Sequence, residues 1–238
     1  YLYPGATYPY GMVQFTPSYF SKRSGFVINQ LSGGGCEHMG NFPTFPVKGK
    51  LKMSPDNILN YRINISEEKG HAGYYEAKVQ EDIHAKLTVT ERTGMASYEY
   101  PADQQYGTVI IGGGISATPI EQAAIVITAP NKCEGYAEGG NFCGLRTPYK
   151  VYFVAEFDTD ALESGTWKRN ELKPNTTFAE GEYSGVYFTF DVNKKKNIQY
   201  KIGVSYVSVE NARENLKTEN SGWDFLQIQN QAESKWNH

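Results

Sequence analysis

Apolar and polar residues alternate at period two along most of this chain. In Ala85-Lys86-Leu87-Thr88-Val89-Thr90 every second side chain shares a face, and Met95 to Tyr100 resumes the pattern. Thr93-Gly94 between them reads as the turn of a hairpin. Val186, Phe188, Phe190 and Val192 form a second alternating face, answered by Ile198, Tyr200, Ile202, Val204 and Tyr206. Lys194-Lys195-Lys196, set between asparagines, reads as the solvated hairpin turn joining the two. Val109-Ile110-Ile111 and Val151-Tyr152-Phe153-Val154 are continuous apolar runs, expected of strands covered on both faces. Many short strands separated by Gly, Pro, Asn and Asp predict a mainly β fold, a large antiparallel β-sandwich.

The period changes near Ser208. Val209, Ala212 and Leu216 fall at helical spacing, with Ser208 as the N-cap and Glu210 in the first turn, where the helix dipole favours a negative charge. After Ser221-Gly222 a second helix carries Phe225, Ile228, Ala232 and Trp236 on one stripe. Trp236 has two readings: contact with something beyond this chain, or packing onto its own sandwich.

Composition agrees with strands. Among 238 residues there are 18 Tyr, 12 Phe and 3 Trp, types that suit pleated, half-buried surfaces. Net charge is −3 and the lysine turn is the one basic cluster, which argues against a nucleic-acid partner. No apolar run approaches the ~20 residues that cross a bilayer, so no transmembrane segment is expected. The chain opens inside a motif, Tyr1-Leu2-Tyr3-Pro4-Gly5, so the missing signal peptide says little about compartment.

Candidate chemistry concentrates in Leu31-Ser32-Gly33-Gly34-Gly35-Cys36-Glu37-His38-Met39-Gly40-Asn41. Three glycines beside a thiol, a carboxylate and an imidazole suit a pocket wall that backbone can approach closely; a tight turn between strands is the plainer reading. No Lys-Ser or Lys-Thr follows, which excludes a phosphate loop. Glu37 and His38 are candidate hydrogen-bonding partners for a ligand, and Tyr3 and Gly5 for a second wall. Cys36 has no Cys-His-acid arrangement around it and is not read as a nucleophile. Cys133 and Cys143 flank a Gly/Asn-rich loop and stand as a candidate disulfide, against three free thiols. His71 and His84 read as surface residues. Trp167, placed on a loop after Gly165-Thr166, either stacks on a ligand or closes a core. Asn64-Ile65-Ser66 and Asn175-Thr176-Thr177 fit the glycosylation sequon.

Several segments in order resemble the N-terminal domain of glycoside hydrolase family 92, the calcium-dependent exo-α-mannosidases. They are Tyr3-Pro4-Gly5-Ala6-Thr7 with Pro9-Tyr10-Gly11-Met12-Val13-Gln14, then Gly25-Phe26, Leu31-Ser32-Gly33 and Gly35-Cys36, Ala72-Gly73-Tyr74-Tyr75, and Arg92-Thr93-Gly94. Val204-Ser205-Tyr206-Val207-Ser208, Ala212-Arg213-Glu214-Asn215-Leu216 and Trp223-Asp224-Phe225 continue the likeness to Trp236-Asn237. The resemblance implies a galactose mutarotase-like β-supersandwich over residues 1–207. Residues 208–238 would then be a helical linker to an (α/α)6 catalytic domain absent from this chain. It implies inverting hydrolysis of terminal α-mannosides, α-1,2-linked by analogy. The acid, base and calcium would come mainly from that barrel, the two carboxyls standing ~6.5–9.5 Å apart to admit water. It also implies a mannose-containing glycan as partner and a secreted, periplasmic or cell-surface location. The chain departs from the family where α-1,2-mannosidases carry two histidines before Leu-Ser-Gly: Ile28 and Gln30 stand here, and Asn41 replaces an acidic residue. On this reading Tyr3, Gly5, Gln30, Gly33, Gly34, Gly35, Cys36, Glu37, His38 and Asn41 form one wall of a substrate pocket, with no catalytic or metal-ligating residue in the chain. The alternative is a stand-alone carbohydrate-binding or adhesion module without catalysis.

Overall fold

A computed structural model describes residues 5–18, 25–31, 33–56 and 65–237. Tyr3, Ser32 and Asn64 lie outside the described residues. Among these residues seventeen strands form two antiparallel sheets, the expected sandwich. The first sheet has the order β1 (Ala6–Thr7), β2 (Gln14–Pro17), β3 (Phe26–Val27), β4 (Thr44–Lys48), β9 (Tyr106–Gly112), β16 (Ser184–Asp191), β13 (Glu163–Lys168), β14 (Glu171–Pro174). The second has β15 (Phe178–Glu180), β10 (Ile120–Ala129), β11 (Lys132–Phe142), β12 (Leu145–Phe157), β17 (Asn197–Ser205), β8 (Thr93–Glu99), β7 (Ile83–Val89), β6 (Tyr74–Val79), β5 (Ile65–His71).

The inward faces meet in an aromatic core. Phe157 of β12 packs against Phe188 and Phe190 of β16 and Tyr200 of β17, with ring centroids 4.9, 5.0 and 5.3 Å away. Tyr75, Tyr98, Tyr100 and Tyr200 are all buried, which accounts for part of the tyrosine excess. Burial raises the hydroxyls of Tyr98, Tyr100 and Tyr200 far above the ordinary phenol range.

The alternation that predicts β7 and β8 holds, since Thr88 pairs with Met95 and Leu87 with Ala96. The turn, however, lies at residues 90–92, and Thr93-Gly94 already belong to β8. The faces of β16 and β17 also behave differently from expectation. They do not pair: β16 pairs with β9 and β13, β17 with β12 and β8. The lysine turn therefore carries the chain from one sheet to the other, and the two alternating faces meet across the core. Alternation reports which face is buried but not which strand lies alongside.

Trp167 is also a correction to the loop reading. It lies in β13 with no exposed surface, over Gly185, where an added Cβ would come within 2.2 Å of its ring. It fills core and is unavailable to a sugar. His71 is exposed as expected, stacked on Tyr74 at 4.8 Å and 3.3 Å from the Glu233 carboxylate, while His84 is half-buried beside Glu76.

Two helices cover the outer face of the second sheet. Helix α1 (Val209–Glu219) starts at Ser208, whose side chain accepts a hydrogen bond from Asn211 N. Ala212 and Leu216 pack on Val154, and a Cβ at Gly203 would meet Ala212 O at 2.5 Å, so α1 lies directly on β17. The buried Lys201 ammonium donates to Asn220 O at 2.9 Å and Ser221 O at 3.2 Å, holding the turn after α1. Helix α2 (Phe225–Trp236) buries Ile228 and Ala232. Trp236 remains 47% exposed, yet its indole N–H donates to Thr7 O at 2.8 Å, tying the end of α2 to β1.

Candidate functional site

Residues 28–31 and 33–41 form the two sides of a narrow hairpin loop at one end of the sandwich. Its base is held by backbone bonds: Gly40 N donates to Asn29 O at 2.6 Å and Ile28 N to Asn41 O at 3.3 Å, with Gln30 bridging Met39. Gln14 N donates to Ile28 O and Met12 N to Glu91 O, so the start of β2 and the β7–β8 turn share this end.

The tip is open. Gly33, Gly34, Gly35 and Glu37 are exposed. Gly33 and Gly35 adopt φ of +75° and +77°, a region costing other L residues about 1–2 kcal/mol. No atom lies within 4 Å of where their Cβ atoms would stand. The turn conformation thus explains these two glycines from within the chain, and it leaves their backbone approachable from outside. Gly34 instead rests on Phe142, whose ring is 3.1 Å from a Cβ placed there. Gly5 packs against Thr16 of β2, within 2.3 Å of a built Cβ, which favours the strand-anchoring role over the second wall.

Cys36 is covalently engaged. It forms a disulfide with Cys143 at the β11–β12 tip, with the Cα atoms 5.4 Å apart. This corrects the pairing of Cys133 with Cys143. Cys133 is free and buried at the start of β11 opposite Ala155, and ten residues of extended strand separate it from Cys143 by about 30 Å. Loop composition between two cysteines says nothing when the segment is a long strand.

Beneath the tip lies an uncharged polar bed. Asn41 is fully buried: its N–H donates to Asn29 Oδ1 at 2.8 Å, and its Oδ1 accepts from the Tyr149 hydroxyl at 2.9 Å. Asn29 Nδ2 donates in turn to the Tyr206 hydroxyl at 3.3 Å. Among the described residues Asn41 Nδ2 and both amide atoms of the buried Gln30 have no partner, a costly state unless water or a ligand reaches them. Ile28, in contrast, is core, and its Cδ1 is 2.6 Å from a Cβ placed on Gly94. Glu37 and His38 part company. Glu37 projects outward, partial desolvation raising its carboxyl above the ordinary range. His38 is buried edge-on to Phe142 and Tyr149, with Nδ1 3.3 Å from Asn141 O. Burial pushes the Tyr149 hydroxyl up to about 12, outweighing its bonds to Asn41 and Ser116, so it is a donor at neutral pH.

Sequence reading missed Asn29, Tyr149 and Tyr206. Tyr206 lay inside a quoted motif, but Tyr149 is 108 residues from Asn41 and only the fold brings it there. It also missed a second concavity, a groove of about 430 Å³ between Tyr8, the β7–β8 turn and the helices. Arg92 pairs there with Glu219, which also accepts from Thr90 Oγ1 at 2.6 Å. A neighbouring groove of about 780 Å³ is lined by Tyr8, Leu226, Gln227 and Lys235. Among the described residues no group of three or more His, Cys, Asp or Glu side chains is gathered to hold a metal ion. Glu37 alone does not fit a calcium site, and no chemical step is assigned to calcium here.

Comparison with known proteins covers nearly the whole chain. An uncharacterized secreted glycosidase of Arthroderma benhamiae is 25% identical over 98% of this chain and 35% of its own length. A family GH92 α-mannosidase of Bacteroides thetaiotaomicron superposes with a TM-score of 0.85 at 24% identity, over 99% of this chain and 35% of that one. A GH92 inverting mannosidase of the same organism gives 0.78 at 22% identity, over 99% and 33%. The chain thus spans about a third of the length of these relatives. The profile of the glycosyl hydrolase family 92 N-terminal domain matches residues 1–205, and with the two-sheet architecture shared end to end, this chain belongs to that family.

Proposed function

We propose that this chain is the substrate-facing, non-catalytic domain of an exo-acting α-mannosidase that removes terminal mannose from glycans with inversion. The observation that carries the reading is the exposed, disulfide-tethered glycine tip standing over unpaired amides, in a chain of the family 92 N-terminal domain. One structural neighbour is an α-mannosidase in complex with mannoimidazole and another an inverting mannosidase, which supports the choice of substrate and stereochemistry.

In this role the chain's own groups orient rather than react. The Gly33 and Gly35 backbone gives a hydroxyl-rich ring close approach, and the outward Glu37 accepts from its hydroxyls. The Gln30 and Asn41 amides, each offering donors or acceptors, suit a neutral polyol better than an ion. The acid and base carboxylates and calcium would be supplied by an (α/α)6 domain on the helical side of residues 208–238. The exposed Leu226 and the half-exposed Trp236 offer apolar contact for it. The disulfide fits a secreted or periplasmic setting, where such bonds persist.

The test compares this 238-residue chain with a protein extended to the relatives' length. The longer protein should hydrolyse aryl α-mannosides, release β-mannose first by proton NMR, and lose activity to a chelator. This chain alone should show no turnover. Calcium-dependent turnover by the 238-residue chain, or no α-mannosidase activity in the longer one, would refute the proposal. Tight mannose binding by this chain alone would favour the stand-alone binding module.

A further inference from the structure

The tip of the 28–41 hairpin and its base are held by different means. The base has three backbone bonds, Ile28 N to Asn41 O, Gly40 N to Asn29 O and Leu31 N to His38 O, and the buried Asn29–Asn41 contact. Among the described residues from Gly33 to Glu37 there is no such ladder, and apart from Gly34 against Leu31 the contacts of this tip reach one element, the β11–β12 turn. Gly34 lies on Phe142, Cys36 is bonded to Cys143, and just below the tip His38 meets Asn141 O, Phe142 and Tyr149. That turn is itself set by short-range contacts: Asn141 Oδ1 accepts from Gly144 N at 3.0 Å, and Cys143 and Gly144 take φ of +52° and +82°. The covalent bond therefore joins two loop ends at the surface, Cys36 half-buried and Cys143 exposed. A bond meant chiefly to staple the core would more naturally involve Cys133, which is buried there and left free.

We propose that the Cys36–Cys143 disulfide is a positioning strut whose redox state sets the order of the glycine tip, and so the fit of substrate. This rests on the reading of the tip as a sugar-facing wall. An external dithiol, R(SH)2, supplies two electrons and two protons. The Cys36–Cys143 S–S bond breaks, two thiols form, and the reagent leaves as its cyclic disulfide. In the reduced protein the base of the hairpin keeps its backbone bonds while residues 33–37 lose their one covalent restraint. The two freed thiols sit at exposed or half-exposed turns and can be alkylated. Cys133 cannot, because complete burial raises its thiol far above the ordinary range and no reagent reaches it.

The experiment treats the 238-residue chain with dithiothreitol under native conditions, alkylates it, and follows hydrogen exchange by mass spectrometry. Expected is labelling of Cys36 and Cys143 but not Cys133, with amides of 33–37 and 141–144 exchanging at least about tenfold faster. Amides of β7, β8 and β17 stay protected over the same minutes. The double variant C36S/C143S, never reduced, should reproduce the pattern. In the longer protein, reduction should raise KM for an aryl α-mannoside several-fold and leave kcat within twofold. Unchanged exchange at 33–37 overturns the strut. Loss of protection in the core strands makes the bond a global staple and overturns it too, as does a fall in kcat at constant KM. If the longer protein has no mannosidase activity in either redox state while the tip still loosens, the functional reading fails and the strut stands.

Discussion

The middle of this sandwich and its loop-bearing end are built from opposite materials. In the middle, Phe157, Phe188, Phe190 and Tyr200 fill space with rings about 5 Å apart. At the end, Asn29, Gln30, Asn41 and Tyr149 form a buried polar bed, part of it unpaired, under a tip that touches nothing at Gly33 and Gly35. Among the described residues the middle leaves only single polar atoms of large rings unpaired, the Tyr98 hydroxyl and the Trp167 indole N–H, whereas the end leaves three amide atoms of two side chains so. A region that buries amides without partners carries a cost that packing does not explain, and a ligand or water is the simplest offset.

The contrast can be broken at either region. Phe157→Ala should cost the most, about 3–5 kcal/mol of stability in urea unfolding, because three rings would face a cavity. A loss under 1 kcal/mol would mean the rings do not form one core. Alkaline pH tests the same region. Tyr98, Tyr100 and Tyr200 have folded-state values raised above the unfolded value near 10. Their contribution is therefore complete below that pH and lost above it, by up to about 1.4 kcal/mol per pH unit per tyrosine. Absorbance at the phenolate band should rise together with unfolding; ionisation of these rings in a still-folded protein would contradict the packing. Gly185→Ala should cost roughly 1–3 kcal/mol by overpacking, since its Cβ meets Trp167 and Ile111 O at 2.2 and 2.3 Å. Gly35→Ala should cost only about 1 kcal/mol, the left-handed backbone penalty, with no collision. In the longer protein it should nevertheless raise KM. Equal stability losses at Gly185 and Gly35 would erase the distinction between a packed middle and an open end.

The sequence foretold the middle better than the end. Period-two alternation identified the inward faces of β7, β8, β16 and β17, because burial of one face imposes that period on any strand. It could not say that β16 and β17 lie in opposite sheets, since a buried face looks the same whether its neighbour is alongside or across the core. Trp167 was misplaced for a related reason: a Gly-Thr-Trp stretch resembles a loop until the glycine beneath the ring, 18 residues later, is brought under it. At the end, the glycine run signalled an open tip and Ser208 signalled a helix cap. The Cys36–Cys143 bond and the Tyr149–Asn41 contact, over 100 residues apart in the chain, left no local trace.

The decisive point is where a sugar touches this chain. Titrating the isotope-labelled 238-residue protein with high concentrations of methyl α-mannoside, followed by amide NMR shifts, addresses that directly. Weak, saturable shifts should gather on Gly33 to Glu37 and on the side-chain amides of Gln30 and Asn41. Shifts confined to the groove of Tyr8, Gln227 and Gln231, with the glycine tip silent, would contradict it.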